Sequence, residues 1–281
     1  MKNLPTAFIF GAGGTARSLL PTIQEEYEVL GFIDNNPLLT SPEWGINLPI
    51  FPAEELLKRE FDTIILASTP GFESIPKQLI AMGIDRRKIN INHVIVPVKS
   101  RINFLESVGK LFEAENIDGN TAEGGVFQGE FTKHINRIFP NKICYLFDTF
   151  KGFDERDVAI EVKQNFSQLV AGHLANTAEE TVLANLPYPE KCVIKKGYFP
   201  ETTAGLENER FCFVNLDFDL YQPILAGLEF FAPRMVKSGI LLVHDYFSDY
   251  KGVKQAVIEF ADKADKKYFP IGDGLSIAFQ F

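Results

Sequence analysis

Two apolar runs that each stop abruptly at polar groups constrain the fold of this chain more than any other feature. Residues 213–216 lead into Asp217, and residues 239–243 lead into His244 and Asp245. Such runs are typical of strands buried in a parallel sheet, and α/β proteins bind ligands at the carboxyl ends of those strands. We therefore expect these three side chains to meet at one edge of a sheet, as candidate catalytic and metal-binding groups.

The connection between the two runs supports this geometry. Residues 223–234 carry apolar side chains at helical spacing, and residues 237–239 then break the helix. A right-handed crossover places the two strands side by side with their polar ends together. The alternative is that these groups only cap helices, which suits a single Asp better than three groups at two strand ends. For Asp219 alone, capping of the following helix is the favoured interpretation.

Composition and charge limit the class of protein. With 281 residues and 46% hydrophobic content, the chain is long enough for two domains that each bury a core. A formal net charge of -9, without a cluster of Lys and Arg, argues against a nucleic-acid partner. Since we find neither a bilayer-spanning stretch nor a signal peptide, we expect a cytoplasmic protein with a small-molecule substrate. The sequence leaves the oligomeric state open, a homo-oligomer included.

The first half has the layout of a nucleotide-binding fold. A strand predicted over residues 6–10 is followed by a glycine turn and a helix, and a second strand over 28–33 ends in Asp34. Asp34 lies about 20 residues beyond the turn, a separation at which an acidic group reaches a ribose. The nucleotide-binding candidates are therefore Asp34 and the glycines of the turn, Gly11, Gly13 and Gly14. The alternative is a tight turn that packs closely and binds no ligand.

Four short motifs stand out in this half, Phe10-Gly-Ala-Gly13, Gly31-Phe-Ile-Asp34-Asn-Asn, Pro49-Ile50 and Met82-Gly-Ile84. Together they resemble the Rossmann-like amino-terminal domain of PglD-type sugar acetyltransferases and of nucleoside-diphosphate-sugar enzymes. The resemblance covers residues 1–92 and implies that the glycine turn and Asp34 contact a nucleotide or nucleotide-sugar. We expect residues 93–102 to form a linker interrupted by Pro97, and residues 103–281 to form the second domain.

The second half repeats this layout with a different charge at its turn. A strand beginning at Thr121 ends in Glu123 and turns through glycines, and the next strand ends in Asp148. A Glu beside a helix amino terminus disfavours a phosphate but favours a ligand with an ammonium group. S-adenosylmethionine carries such a group, so we expect Glu123 to hold its methionine end and Asp148 its ribose hydroxyls. The alternative is that Glu123 is a surface or capping carboxylate.

Five motifs occur in order through this half, Glu123-Gly-Gly-Val126-Phe-Gln-Gly129, Phe147-Asp148-Thr149-Phe150-Lys-Gly152-Phe153, Lys196-Gly197-Tyr-Phe199-Pro-Glu-Thr202, Asp217-Phe-Asp219-Leu-Tyr221 and His244-Asp245-Tyr246. Together they resemble the macrocin O-methyltransferase (TylF-type) family over residues 103–281. The resemblance implies S-adenosylmethionine as the methyl donor and a magnesium ion at the ends of the fourth and fifth strands. It places the cofactor contacts at Glu123, Gly124, Gly125, Gly129, Asp148, Thr149, Phe150 and Gly197.

The predicted fold is thus α/β, with two Rossmann-like domains. The resemblance implies that the second is a class I S-adenosylmethionine-dependent methyltransferase fold, which closes with an antiparallel hairpin over residues 268–271 and 275–281. Residues 153–189 are longer than a simple connection. We expect this insertion to cover the donor and the acceptor and to set acceptor specificity.

His244 departs from the family, which commonly has Asp-Asp-Tyr at this motif. Imidazole binds transition metals well and magnesium poorly. Two mechanisms remain open. In the first, Asp217, His244 and Asp245 hold Mg²⁺ or another divalent cation that polarises the acceptor hydroxyl. In the second, no metal takes part, and His244 is the general base because its unperturbed pKa lies close to the working pH.

The leading hypothesis is an S-adenosylmethionine-dependent O-methyltransferase that acts on a hydroxyl of a sugar or sugar-containing metabolite. Two alternatives are a non-catalytic nucleotide- or S-adenosylmethionine-binding regulator and an NAD(P)-dependent sugar oxidoreductase. The cluster of Asp217, His244 and Asp245 at the two strand ends favours the enzyme hypothesis, since a protein that only binds ligands needs no such cluster. The first half offers no Tyr-Lys or His-Asp pair that would move protons during hydride transfer.

Overall fold

The computed structural model describes residues 4–37, 39, 45–68 and 71–281. The chain divides into two compact units, Met1–Lys99 and Ser100–Phe281. Each unit contains its own mainly parallel sheet, so the predicted α/β class is confirmed. Among the described residues, no helix is both long enough and apolar enough to cross a membrane.

The first unit is a five-stranded parallel sheet. Its strands are β1 (Thr6–Phe10), β2 (Glu28–Ile33), β3 (Ile50–Phe51), β4 (Thr63–Leu66) and β5 (Ile89–Asn90). They lie in the order β3-β2-β1-β4-β5 and are all parallel, which matches the first five strands of the Rossmann order. Helices α1 (Gly14–Glu26) and α2 (Ser74–Ala81) cover opposite faces, because Ile9 packs in the cluster of α1 whereas Phe8 packs in that of α2.

Helix α3 (Asn92–Ala114) contains the residues that the sequence suggested as a linker. Pro97 lies inside this helix and does not interrupt it. Buried apolar residues recur at helical spacing on both sides of the proline, at Val94, Leu105 and Val108, and this pattern supports one continuous helix. The bounds 1–92 and 103–281 stay a prediction, and the boundary between the two compact units falls after Lys99.

The second unit is a seven-stranded sheet. Its strands are β6 (Asn120–Gly124), β7 (Cys144–Asp148), β8 (Cys192–Lys196), β9 (Phe211–Leu216), β10 (Met235–Val243), β11 (Tyr268–Pro270) and β12 (Ile277–Gln280). They lie in the order β11-β12-β10-β9-β6-β7-β8. Neighbours are parallel except for β12, which runs antiparallel to both β10 and β11. The predicted terminal hairpin is therefore confirmed.

Helices cover both faces of this sheet. Beyond α3, the helices of this unit are α4 (Thr132–Ile138), α5 (Glu155–Lys163), α6 (Glu179–Ala184), α7 (Tyr221–Phe231) and α8 (Lys251–Ala264), of which α5 packs against α7. Strand β9 is buried along its whole length. Its Val214 packs in the cluster that contains α7 and α8, whereas Phe213 packs in the cluster that contains α3 and α4. Short 3₁₀ turns occur at Ala53–Lys58, Arg86–Lys88, Pro189–Lys191, Glu201–Thr203 and Ala232–Arg234.

Candidate active site

Strand register brings the candidate residues of the second unit to one edge of its sheet. Gly124 pairs with both Phe147 and Leu216, and Leu216 pairs with Val243. Each of these residues is followed by a group that the sequence singled out, namely Gly125, Asp148, Asp217 and His244. These four residues therefore lie at the carboxyl ends of neighbouring strands, as the sequence predicted.

The glycine turn after β6 lies against the end of β9. Gly125 has a φ of +79°, and a Cβ there would lie 2.0 Å from the carbonyl oxygen of Asp217. A Cβ on Gly124 would lie 2.2 Å from the ring of Phe218. Gly125 needs glycine, because a side chain there would meet the backbone after β9, whereas a side chain at Gly124 would have to displace the Phe218 ring.

Asp148 holds this turn from the end of β7. Its Oδ2 accepts backbone N–H bonds from Val126 at 2.8 Å and Phe127 at 2.9 Å, and its Oδ1 accepts one from Phe150 at 2.7 Å. The carboxylate therefore fixes two loops at once. Its contact with ribose hydroxyls stays a prediction.

A cavity opens beside Asp148. Its volume is about 420 Å³, which is within the size range of small-molecule sites. The lining includes Thr149, Gly197 and Tyr198. Thr149 Oγ1 donates to the carbonyl of Gly152 at 2.7 Å, and the Gly197 N–H donates to the carbonyl of Asp148 at 3.0 Å. Two of the predicted cofactor contacts, Thr149 and Gly197, thus lie at the wall of one cavity.

Glu123 is buried at the end of β6, with 2% of its surface exposed. This burial is inconsistent with a surface carboxylate. Asn215 Nδ2 donates to its Oε1 at 2.8 Å, and the Thr132 hydroxyl donates to its Oε2. Burial raises the pKa of Glu123 to about 7, although the Thr132 hydrogen bond and the charge of Arg101 oppose the shift. A cationic ligand would favour the ionised form of such a group.

Asp217, His244 and Asp245 form the cluster that the sequence predicted. Nδ1 of His244 lies 3.0 Å from Oδ1 of Asp217 and 2.9 Å from Oδ2 of Asp245. One ligand atom from each residue lies within 4.8 Å of the other two. The side chains keep between 13% and 21% of their surface exposed, so a small ligand can reach them.

The neighbours of His244 shift its pKa from the unperturbed value. Burial and the Arg101 cation lower its pKa, but the two neighbouring carboxylates outweigh them and raise it to about 10. This shift favours the protonated imidazole over the neutral form that a general base needs, and the role of His244 as a base stays a prediction. The pKa of Asp217 is lowered, because His244 and Arg101 outweigh the opposing effect of burial.

Arg101 belongs to the site although the sequence placed it in a linker. Its Nη2 donates to Oδ2 of Asp217 at 2.9 Å and to Oδ1 of Asn215 at 2.8 Å. The side chain is 10% exposed, and its guanidinium lies 3.9 Å from the ring centroid of Phe131. No local sequence signal marks this residue, because its ionic partner is 116 positions away.

Asp219 does not cap the helix that follows it. The carboxylate of Glu161, from α5 in the insertion, instead accepts the Tyr221 N–H at the start of α7, at 2.8 Å. Burial and the Asp245 carboxylate raise the pKa of Asp219 well above its ordinary value. The capping interpretation was therefore wrong, and the insertion is hydrogen-bonded to the first residue of α7.

The glycine turn of the first unit has a related arrangement. Asp34 Oδ2 accepts the backbone N–H of Ala12 at 3.0 Å, much as Asp148 accepts from its own turn. Gly11 needs a φ of +104°, and a Cβ there would lie 2.7 Å from the carbonyl oxygen of Ala67. The positions of Gly13 and Gly14 face open space, so close packing does not explain these two glycines.

The seven-stranded sheet and its glycine turn define a class I methyltransferase fold, and two solved structures share it. The O-methyltransferase NovP matches with a TM-score of 0.52 at 19% identity, covering 64% of this chain and 79% of its own. CalS11, described as a calicheamicin methyltransferase, matches with a TM-score of 0.52 at 16% identity, covering 82% of this chain and 90% of its own.

The chain belongs to the Macrocin-O-methyltransferase (TylF) family, whose sequence model matches residues 73–271. It is therefore an S-adenosylmethionine-dependent methyltransferase, as the resemblance implied. Residues 5–90 match the model described as C2185-like, N-terminal, rather than a PglD-type domain. A search of curated proteins gave no match.

Proposed function

We propose that this protein transfers the methyl group of S-adenosylmethionine to a hydroxyl of a sugar or sugar-containing metabolite. The observation that carries the proposal is the placement of Glu123 and Asp148 on either side of one glycine turn, with Asp217 and His244 at the adjacent strand ends. Family membership and the O-methyltransferase activity named for NovP support oxygen as the acceptor atom.

The hydrogen bonds around Glu123 suit an ammonium ligand. Arg101 has only donors, so Asn215 must turn its carbonyl oxygen toward Arg101 and its NH₂ toward Glu123. Thr132 donates to the other oxygen. Glu123 is therefore held as an acceptor at both oxygens, the state that pairs with a cation. These residues fit the methionine end of S-adenosylmethionine.

Methyl transfer forms a bond between the acceptor oxygen and the methyl carbon, while the sulfur–methyl bond breaks and the hydroxyl proton leaves. We infer that the proton departs toward the Asp245 carboxylate, because the lowered pKa of Asp217 makes that group a weaker proton acceptor. Both carboxylates contact Nδ1 of His244 and favour its imidazolium form, which must lose a proton before it can accept another. Its first role in this arrangement is to hold the two carboxylates together.

The same cluster fits a divalent cation. Asp217, His244 and Asp245 supply two carboxylates and one imidazole, a donor set that suits a transition metal better than magnesium. A bound cation would replace the proton on His244 and act as a Lewis acid on the acceptor hydroxyl. Arg101 donates to Oδ2 of Asp217 and would hold this carboxylate in place for the cation.

We propose that the first unit binds a nucleotide or nucleotide-sugar at Gly13, Gly14 and Asp34. The open space at the two glycines and the bond from Ala12 to Asp34 support this role. A saturating nucleotide at a hundred times its dissociation constant should stabilise the full chain by about 2.7 kcal/mol. If no nucleotide, dinucleotide or nucleotide-sugar raises the melting temperature, or if Asp34→Ala responds as the wild type does, the proposal is wrong.

Methyl transfer itself can be tested with an acceptor panel. The full chain is incubated with S-adenosylmethionine and free sugars, nucleotide-linked sugars or glycosylated natural products, and products are analysed by mass spectrometry. We expect one class to gain a methyl group on oxygen, with equimolar S-adenosylhomocysteine. Methylation of nitrogen or carbon, or of a sugar-free substrate alone, would contradict the proposal.

A further inference from the structure

A continuous chain of hydrogen bonds joins the donor side of the site to the acceptor side. It runs from Glu123 to Asn215, from Asn215 to Arg101, and from Arg101 to Asp217, with donor–acceptor distances of 2.8, 2.8 and 2.9 Å. Glu123 and Asn215 are 2% and 0% exposed. The register of the sheet explains the first bond, because Glu123 on β6 pairs directly with Asn215 on β9.

Each hydrogen bond in this series can have only one donor and one acceptor. The guanidinium of Arg101 only donates, and the amide of Asn215 must then present its NH₂ to Glu123. At the other end, one nitrogen of Arg101, Nη2, is shared between Asn215 and Asp217. A shift of Asn215 would therefore change the position of Arg101, and with it the orientation of the Asp217 carboxylate, whose Oδ1 contacts His244.

We propose that Asn215 and Arg101 are positioning residues that couple occupancy of the donor site at Glu123 to the orientation of Asp217. This inference rests on the proposed function, since it takes Glu123 as the donor contact. Neither residue needs to touch the acceptor. Arg101 Nε is buried and has no hydrogen-bond partner among the described residues, so the guanidinium is held by Nη2 and by its contact with Phe131.

Thr132 provides a matched control. It is fully buried and bonds to Glu123 as Asn215 does, but through Oε2, away from the path to Asp217. Thr132→Val therefore removes one hydrogen bond from Glu123 and leaves the hydrogen bonds from Glu123 to Asp217 intact. Asn215→Leu also removes one hydrogen bond from Glu123, but it interrupts the series that leads to Asp217.

The test follows the imidazole signals of His244 by NMR while S-adenosylhomocysteine is added to the full protein. The chain has four histidines, so His244→Gln assigns the signal. We expect donor-site binding to shift the His244 signal in the wild type and in Thr132→Val. In Asn215→Leu and in Arg101→Lys, the part of the shift that the hydrogen-bond series transmits should be lost, although calorimetry still shows that S-adenosylhomocysteine binds. A direct effect of the ligand would persist in all four proteins.

Reciprocity supplies a second readout. Asp217→Asn should change the affinity for S-adenosylhomocysteine about 5-fold or more in the wild type and leave it unchanged in the Asn215→Leu background. If Asn215→Leu does not fold, Asn215→Ser takes its place, because its side chain is too short to bridge both partners. Equal His244 shifts in the wild type and the chain variants, or equal effects of Asp217→Asn in both backgrounds, overturn the coupling. Absence of binding to the wild type would instead refute the donor site.

Discussion

The guanidinium of Arg101 lies 2.9 Å from the carboxylate of Asp217, and this pair joins a helix to the end of strand β9. Arg101 brings a positive charge to the acidic end of the site, where Asp217 and Asp245 both contact the imidazole of His244. Without the guanidinium, the negative charge of Asp217 would lose an ion-pair partner at a site where most of the side chain is buried.

Replacement of Arg101 by Met should therefore destabilise the protein by about 3 kcal/mol, measured as the free energy of unfolding in urea. Arg137→Met is the matched control, since Arg137 pairs with Glu106 at 2.8 Å but both side chains are more than a third exposed. We expect the control to cost less than about 1 kcal/mol. If the two variants lose the same free energy of unfolding, burial of the Arg101–Asp217 pair adds nothing to its stabilising effect.

The stability of the protein should depend on pH through Glu123. Its pKa rises from an ordinary 4.5 to about 7 in the fold, so the folded state binds the proton more tightly than the unfolded state. This contribution is present below about pH 4.5 and is lost as the pH rises to about 7. Its size is about 3 kcal/mol.

Glu123→Gln isolates this contribution, because an amide does not titrate. The free energy of unfolding of the wild type, minus that of the variant, should fall between pH 4.5 and pH 7 and then level off. A flat difference across this range would show that Glu123 is an ordinary carboxylate. Saturating S-adenosylhomocysteine should reduce the slope if its ammonium binds the ionised group.

Much of this site follows from short-range sequence signals. Apolar runs that end in acids fixed the strands and their shared edge, because strands of a parallel sheet end together. Arg101 could not be found in this way, since its partners Asn215 and Asp217 are more than a hundred positions away. The prediction that Asp219 caps α7 failed for the same reason. The acid that accepts the N–H of Tyr221 at the start of this helix is Glu161, 60 positions before Tyr221.

Backbone proximity at the glycine turn gives a third prediction. Gly125→Ala should destabilise the protein by about 1–3 kcal/mol more than Gly205→Ala. Both glycines have a positive φ, +79° and +84°, but only at Gly125 would a Cβ meet an atom, the Asp217 carbonyl oxygen. Thermal unfolding of the two variants measures the difference. Equal melting temperatures would show that the turn can move away from β9 without cost.

Metal dependence of the reaction is the fourth prediction. Asp217, His244 and Asp245 have the donor atoms and the spacing for a divalent cation, so a chelator should abolish methyl transfer and an added divalent transition metal should restore it. Asp217→Asn should also lose activity, while its metal affinity falls in calorimetric titration. Full activity of a metal-depleted protein would assign the reaction to the protein side chains alone.

Calorimetric titration of the full chain with S-adenosylmethionine tests the central claim most directly. We predict one binding site in the wild type and an affinity weakened by about 1–3 kcal/mol in Asp148→Ala, because the ribose and the glycine turn lose their shared partner. Asp85→Ala, which removes an exposed carboxylate that holds a turn in the first unit, should bind as the wild type does. A wild-type protein that shows no heat of binding, or an Asp148→Ala variant with unchanged affinity, would contradict the account of the donor site.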